Sequence, residues 1–174
     1  HDSADEQKQW IKQTFYDYEI ENLILVGGES GKVNYTGPSV NETSEFITRD
    51  LNSGRFDFFC GGISIPSRQV ESEKLLRKGS NGIEFFTTQV LYDSEKIKKM
   101  LKHYHDICKI NKVLPRRILL SFAPVSSKKN IDFLKWLGVE IPTLTENHLV
   151  SKDTEMTQES LKIAAEILSD ILTN

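Results

Sequence analysis

Ile83-Glu84-Phe85-Phe86-Thr87-Thr88-Gln89-Val90-Leu91-Tyr92-Asp93, running into Ser94-Glu95-Lys96-Ile97, is the stretch that decides the fold. An apolar run of strand length, residues 83–87, gives way to polar residues. Asp93 with Ser94 then starts a segment that places Ile97, Leu101, Tyr104 and Cys108 on one helical face. A strand followed by a helix start is one βα unit. The pattern occurs at residues 23–26 (LILV), 56–60 (FDFFC), 83–87 (IEFFT) and 118–122 (ILLSF), each mostly apolar, as a strand covered on both faces should be. Ser3 with Glu6 and Ser39 with Glu42 form capping-box pairs at helix starts. Ser127 opens a helix with Ile131, Leu134 and Leu137 inward, stopped by Gly138. After Pro142 the polar stretch TLTENHLVSKDTEM reads as a loop. A final helix follows from about Thr157, with Leu161, Ala165, Leu168 and Leu172 as its buried face.

Four βα units without a hairpin signal define an α/β protein with a parallel sheet, either an open doubly wound sheet or an incomplete eight-stranded barrel. The pattern alone leaves both open. In both, ligands sit beyond the carboxyl ends of the strands. The chain of 174 residues is expected to form a single domain over 1–174. It begins at His1 without methionine, so something upstream is expected to be missing.

Composition narrows the classes. Twenty-two Lys and Arg against 25 Asp and Glu leave no basic footprint for nucleic acid. No apolar stretch approaches the ~20 residues of a membrane span, and HDSADEQKQW has no signal-peptide pattern. Two cysteines, Cys60 and Cys108, are too few for a disulfide scaffold, so the expected setting is the reducing cytoplasm. Homo-oligomerisation is left open.

The residues after each strand supply the candidates. Gly27-Gly28-Glu29-Ser30-Gly31-Lys32 looks like a phosphate loop, but Val26 stands where its first glycine belongs and Val33 where its hydroxyl belongs. The glycines would instead let backbone approach a flat ligand, with Glu29 as the ionisable group; a solvated loop is the bland alternative. The next strand is followed by Gly61-Gly62-Ile63-Ser64-Ile65-Pro66-Ser67-Arg68, in which Arg68 offers a bidentate site for a carboxylate or phosphate, or is simply a surface arginine at a helix start. Gln89 carries a donor and an acceptor suited to the edge of a heterocycle. Asp93 is better read as a helix cap. His103 and His105, two apart on a helix, lie on different faces and do not share a metal, and no metal site is expected.

Taken together, these segments resemble the methylenetetrahydrofolate reductase family, flavin enzymes on a parallel (β/α) barrel of the TIM type. The resemblance rests on Glu21-Asn22-Leu23-Ile24-Leu25 leading to a Gly-Gly-acid turn, Lys78 four before Gly82, Phe86-Thr87-Thr88-Gln89 with Tyr92-Asp93, Ala123-Pro124-Val125-Ser126, and Trp136-Leu137-Gly138-Val139-Glu140-Ile141-Pro142. It implies an oxidoreductase acting on a folate one-carbon unit, with FAD as hydride carrier and NAD(P)H as electron donor. Residue by residue, Gln89 matches the glutamine that reads the pterin, with Thr88 beside it. Glu29 matches the acid near flavin and pterin, and is the catalytic candidate. Gly28, Gly61, Gly62, Ser64, Lys78 and Arg68 fall in the flavin-binding segments. The family's Arg-Gly-Asp turn is Gly27-Gly28-Glu29 here, and its Tyr-Pro-Glu-x-His pattern is replaced. A divergent branch that binds flavin differently or not at all is therefore also implied: a folate-dependent one-carbon or methyl transferase, or a non-catalytic folate-binding protein. By position the chain would hold barrel strands four to seven. A closed barrel takes about 250 residues, so this piece is expected to expose sheet edges.

Overall fold

The computed structural model describes residues 3–27, 37–51 and 58–173, and in them strand and helix alternate along the chain. Helix α1 (Ala4–Tyr18) leads to β1 (Asn22–Leu25), and α2 (Val40–Phe46) runs on into a π-helical turn, Ile47–Leu51. Then come β2 (Phe59–Ser64), α3 (Glu71–Ser80), β3 (Phe85–Thr88), α4 (Ser94–Ile110), β4 (Arg117–Leu119) and α5 (Lys128–Trp136). Two further helices close the order, α6 (Thr143–Ser151) and α7 (Met156–Thr173). Both capping boxes form: the Ser3 and Ser39 hydroxyls accept from the Glu6 and Glu42 amides, and each glutamate accepts from its serine's amide. Asp93 caps α4 by accepting from the Glu95 amide at 2.7 Å, and Ser127 caps α5.

The four strands pair in parallel in chain order, β1-β2-β3-β4, with Leu23 opposite Cys60, Gly62 opposite Phe86 and Phe86 opposite Ile118. A doubly wound sheet reverses direction at a switch point and carries helices on both faces. Here the order is monotonic and the core lies on one face. Leu23, Leu25, Cys60, Phe86, Ile118 and Leu120 pack against Ile11, Leu75, Ile97, Met100 and Tyr104 of the helices. The fully buried ones among them, Phe86, Leu75 and Ile97, each contribute about 1.5–3 kcal/mol. The other face, expected to be covered, is open among the described residues: Ile24, Phe59 and Leu119 are each close to half exposed. A four-stranded parallel sheet of this kind is compatible with part of an α/β barrel.

Strand ends differ from expectation. The second strand reaches Ser64, so Gly61 and Gly62 lie inside it rather than in a loop beyond it. The reason is close approach: the Phe85 ring, stacked on Phe59 with centroids 5.1 Å apart, lies over Gly61, where a Cβ would come within 2.4 Å of it.

The polar stretch after Pro142 is a loop only in part: Thr143–Ser151 form α6, and a short 3₁₀ turn, Asp153–Glu155, leads into α7. Helix α6 lacks a helical apolar period because Leu149 is its only buried residue. It is held instead by Glu146, which accepts from Lys128 and Lys135 of α5 at 2.8 Å each. In α7 the buried face is rotated by one residue, to Met156, Ser160 and Ile167 with Ile163 and Ile171 partly buried, leaving Leu161, Ala165, Leu168 and Leu172 exposed. Both stripes are apolar, and α4 and α6, which α7 contacts, select between them. Both cysteines are buried and free. Among the described residues no helix is long and apolar enough to cross a membrane.

Candidate functional site

Beyond the carboxyl ends of β2 and β3 lies a cavity of about 600 Å³, within the roughly 300–1,000 Å³ usual for small-molecule sites. Its walls are Pro66 and Ser67 after β2, Gln89 to Asp93 after β3, and Gly138 to Thr143 from the α5–α6 loop into α6, with Lys96 of α4 and Lys135 of α5 at the edges. Strand alternation turns Gln89 to the same side as Phe85 and Thr87. Its amide donates to the Leu137 carbonyl at 3.2 Å. That contact holds the side chain in place and leaves one N–H and the amide oxygen for a ligand. Tyr92 donates its hydroxyl to the Ala123 carbonyl at 2.9 Å, tying the loop after β3 to the one after β4, and burial pushes its phenol pKa up.

The charges around this cavity are balanced internally. Glu140 accepts from Lys96 and from Ser67, which hold its carboxyl below the usual range, while Glu140 raises the Lys96 ammonium. Lys135 pairs with Glu146, and Asp93 is occupied in capping α4. The result is a pocket with polar edges and no net charge to spare.

Of the residues expected in the site, the structure brings Gln89 to this cavity and Arg68 to a smaller recess beside it. Gly28 and Glu29 lie outside the described residues. Thr88 and Ser64 are on the helix-facing side of the sheet: Thr88 accepts from the Ser121 amide at 2.9 Å, and the fully buried Ser64 hydroxyl points at the Met100 sulfur at 3.2 Å. A period of two forces this, since Gln89 faces the other way. Gly62 faces Ile83 and Phe86, and Gly61 lies beneath Phe85. Lys78, on α3, donates to the Ile63 carbonyl at 2.8 Å, and burial lowers its pKa against the opposing pull of Glu71. Glu71 itself accepts from the Ile65 amide at 3.0 Å, so two ionisable side chains of α3 secure the end of β2.

FAD was expected to use Gly28, Gly61, Gly62, Ser64, Lys78 and Arg68. With Gly61 under a ring, Gly62 packed against Ile83 and Phe86, Ser64 turned to Met100 of α4, and Lys78 engaged on backbone, four of these positions do not fit a flavin cradle. Residue-by-residue reading missed Lys96 and Glu140 as site walls, although Tyr92 and the 136–142 segment stood among the markers of the resemblance. A run of specific residues in a loop beside strand ends was the available signal. Among the described residues no group of three or more His, Cys, Asp or Glu could hold a metal ion.

Fold and cavity define an α/β protein with a cavity of small-molecule size at the carboxyl ends of a singly wound parallel sheet. No family model matches the chain, and none of the curated proteins does. Among solved structures the chain is similar to an uncharacterized protein from Clostridium thermocellum that binds two copies of 5-methyl-5,6,7,8-tetrahydrofolic acid. The TM-score is 0.80 at 25% identity over 98% of this chain, which spans 57% of that protein's length.

Proposed function

We propose that this chain binds a reduced folate, of the 5-methyltetrahydrofolate type, in the cavity at the ends of β2 and β3. The observation that carries this is the likeness, across nearly the whole chain, to a protein that binds 5-methyltetrahydrofolate. The cavity supports it with a held Gln89 amide, able to read a ring edge, and apolar walls from Val139, Ile141 and Pro142. The described residues bind and orient; the carboxylates nearest the cavity, Asp93 and Glu140, are already engaged and are poorly placed to protonate a ligand. A folate-binding protein, or a transferase of the folate's methyl or one-carbon unit, is therefore favoured over a flavin-dependent reductase. A reductase would have to draw its flavin contacts and its acid from residues other than these.

The test is calorimetric titration of the protein with 5-methyltetrahydrofolate, alongside an absorption spectrum of the purified material. Saturable binding with no flavin absorbance is expected. A folded protein that takes up no folate refutes the proposal, and a yellow protein would restore the reductase reading.

A further inference from the structure

The main cavity shares two wall residues, Pro66 and Lys96, with a recess of about 180 Å³ between the start of α3 and the first turns of α4. The two differ in charge. In the cavity Lys96 pairs with Glu140, Lys135 pairs with Glu146 beside it, and Asp93 caps α4. The recess is lined by Arg68 and Lys99, whose cationic ends have no ion-pair or hydrogen-bond partner among the described residues, and by His103, 3.8 Å from Glu73. One further group faces it: Glu71 is buried to all but 2% of its surface. Its Oε1 accepts from the Ile65 amide, and its Oε2 is closed off from solvent with no partner among the described residues.

We infer that this recess takes the glutamate end of the folate bound in the main cavity, an inference that rests on the folate reading above. A folate is a nearly neutral bicyclic ring joined through an aminobenzoyl group to glutamate, which adds an amide N–H and two carboxylates. That division of charge matches the two adjoining spaces. The ring goes to the charge-balanced cavity with Gln89, and the carboxylates go to Arg68 and Lys99. Arg68 suits a carboxylate because its planar fork donates two parallel hydrogen bonds.

The experiment compares 5-methyltetrahydrofolate with 5-methyltetrahydropteroate, which lacks the glutamate, by calorimetry on the wild type and on an Arg68→Gln/Lys99→Gln variant. Both positions are exposed, and thermal melts confirm folding. The wild type should prefer the glutamate-bearing ligand by about tenfold, the scale of two partly exposed charge-assisted contacts. The double variant should lose that preference while binding the pteroate as the wild type does. An Arg68→Lys/Lys99→Arg variant should keep most of it. Equal affinities for the two ligands on the wild type, or a preference that survives the double variant, overturn the inference and leave the folate site standing. A wild type that binds neither ligand overturns both.

Discussion

Gln89→Glu separates a ligand contact from a structural one, because the substituted atom has two jobs. In the free protein the Gln89 amide nitrogen donates to the Leu137 carbonyl at 3.2 Å. A carboxylate there replaces a donor with an acceptor and sets two oxygens against each other. The contact is partly exposed, so the loss is about 0.5–1.5 kcal/mol, the usual net worth of such a bond. For a chain of this size that lowers Tm by about 1–6 °C. With ligand bound, the remaining N–H is lost too, and the acceptor can no longer be matched by a ring donor and a ring acceptor side by side. Leaving one buried partner unpaired costs about 1–3 kcal/mol, or roughly five- to 150-fold in affinity for 5-methyltetrahydrofolate. The assay is titration of both proteins below the melting range of either, with melts in parallel. Gln89→Met is the companion: it removes the amide without introducing charge and should weaken binding with less repulsion at Leu137. Affinity within twofold of wild type for Gln89→Glu would take this residue out of the site, and an unchanged Tm would take the Leu137 bond out of the argument.

Three further outcomes follow from the packing. Gly61→Ala must push the Phe85 ring aside; the ring can swing over an open face, so a loss near 1 kcal/mol is expected, from the low end of overpacking costs, and it should vanish in a Phe85→Ala background on denaturant melts. Glu159 accepts from Lys162 and His148, which hold its carboxyl well down, at about 2 against a usual 4.5. A depressed folded pKa means that its stabilisation is present above about pH 4.5 and is lost as pH falls toward 2. Glu159→Gln should therefore lower the urea midpoint at pH 7 and match the wild type near pH 2. Burial pushes the Cys60 thiol up to about 11, so in native protein at pH 8 it should resist alkylation that proceeds readily in denaturant; fast native labelling of Cys60 would contradict the sheet–helix packing around it.

Signals that act over a few residues were legible in the sequence. Ser3 with Glu6 and Ser39 with Glu42 are three apart, within reach of their own amides, so their capping needed no tertiary knowledge. The inward face of α4 was readable because its other faces are charged: Ile97, Tyr104 and Cys108 are buried as expected, joined by Met100. Gln89 was identifiable as a polar residue just past an apolar strand, in a fold whose ligands gather there. Arg68 was found as a cation, but its place in a recess beside Lys99 was not, since those residues meet only when α3 and α4 pack together.

What the sequence determined by itself is the alternation of parallel βα units, because period, strand length and cap spacing are local properties of the chain. Tertiary structure alone decided the rest. Gly61 and Gly62 joined the strand because Phe85 of the next strand needed the space above Gly61. Helix α7 turned its Ile163–Ile167–Ile171 stripe inward rather than the equally apolar Leu161–Leu168–Leu172 one, because α4 and α6 offered a surface to the first. Thr88 and Ser64 were withdrawn from the site by one-residue alternation about a register that only strand pairing sets. Where two faces of an element are equally apolar, or a polar residue stands one step from its neighbour in a strand, local chemistry is degenerate, and the contact that resolves it comes from a distant part of the chain.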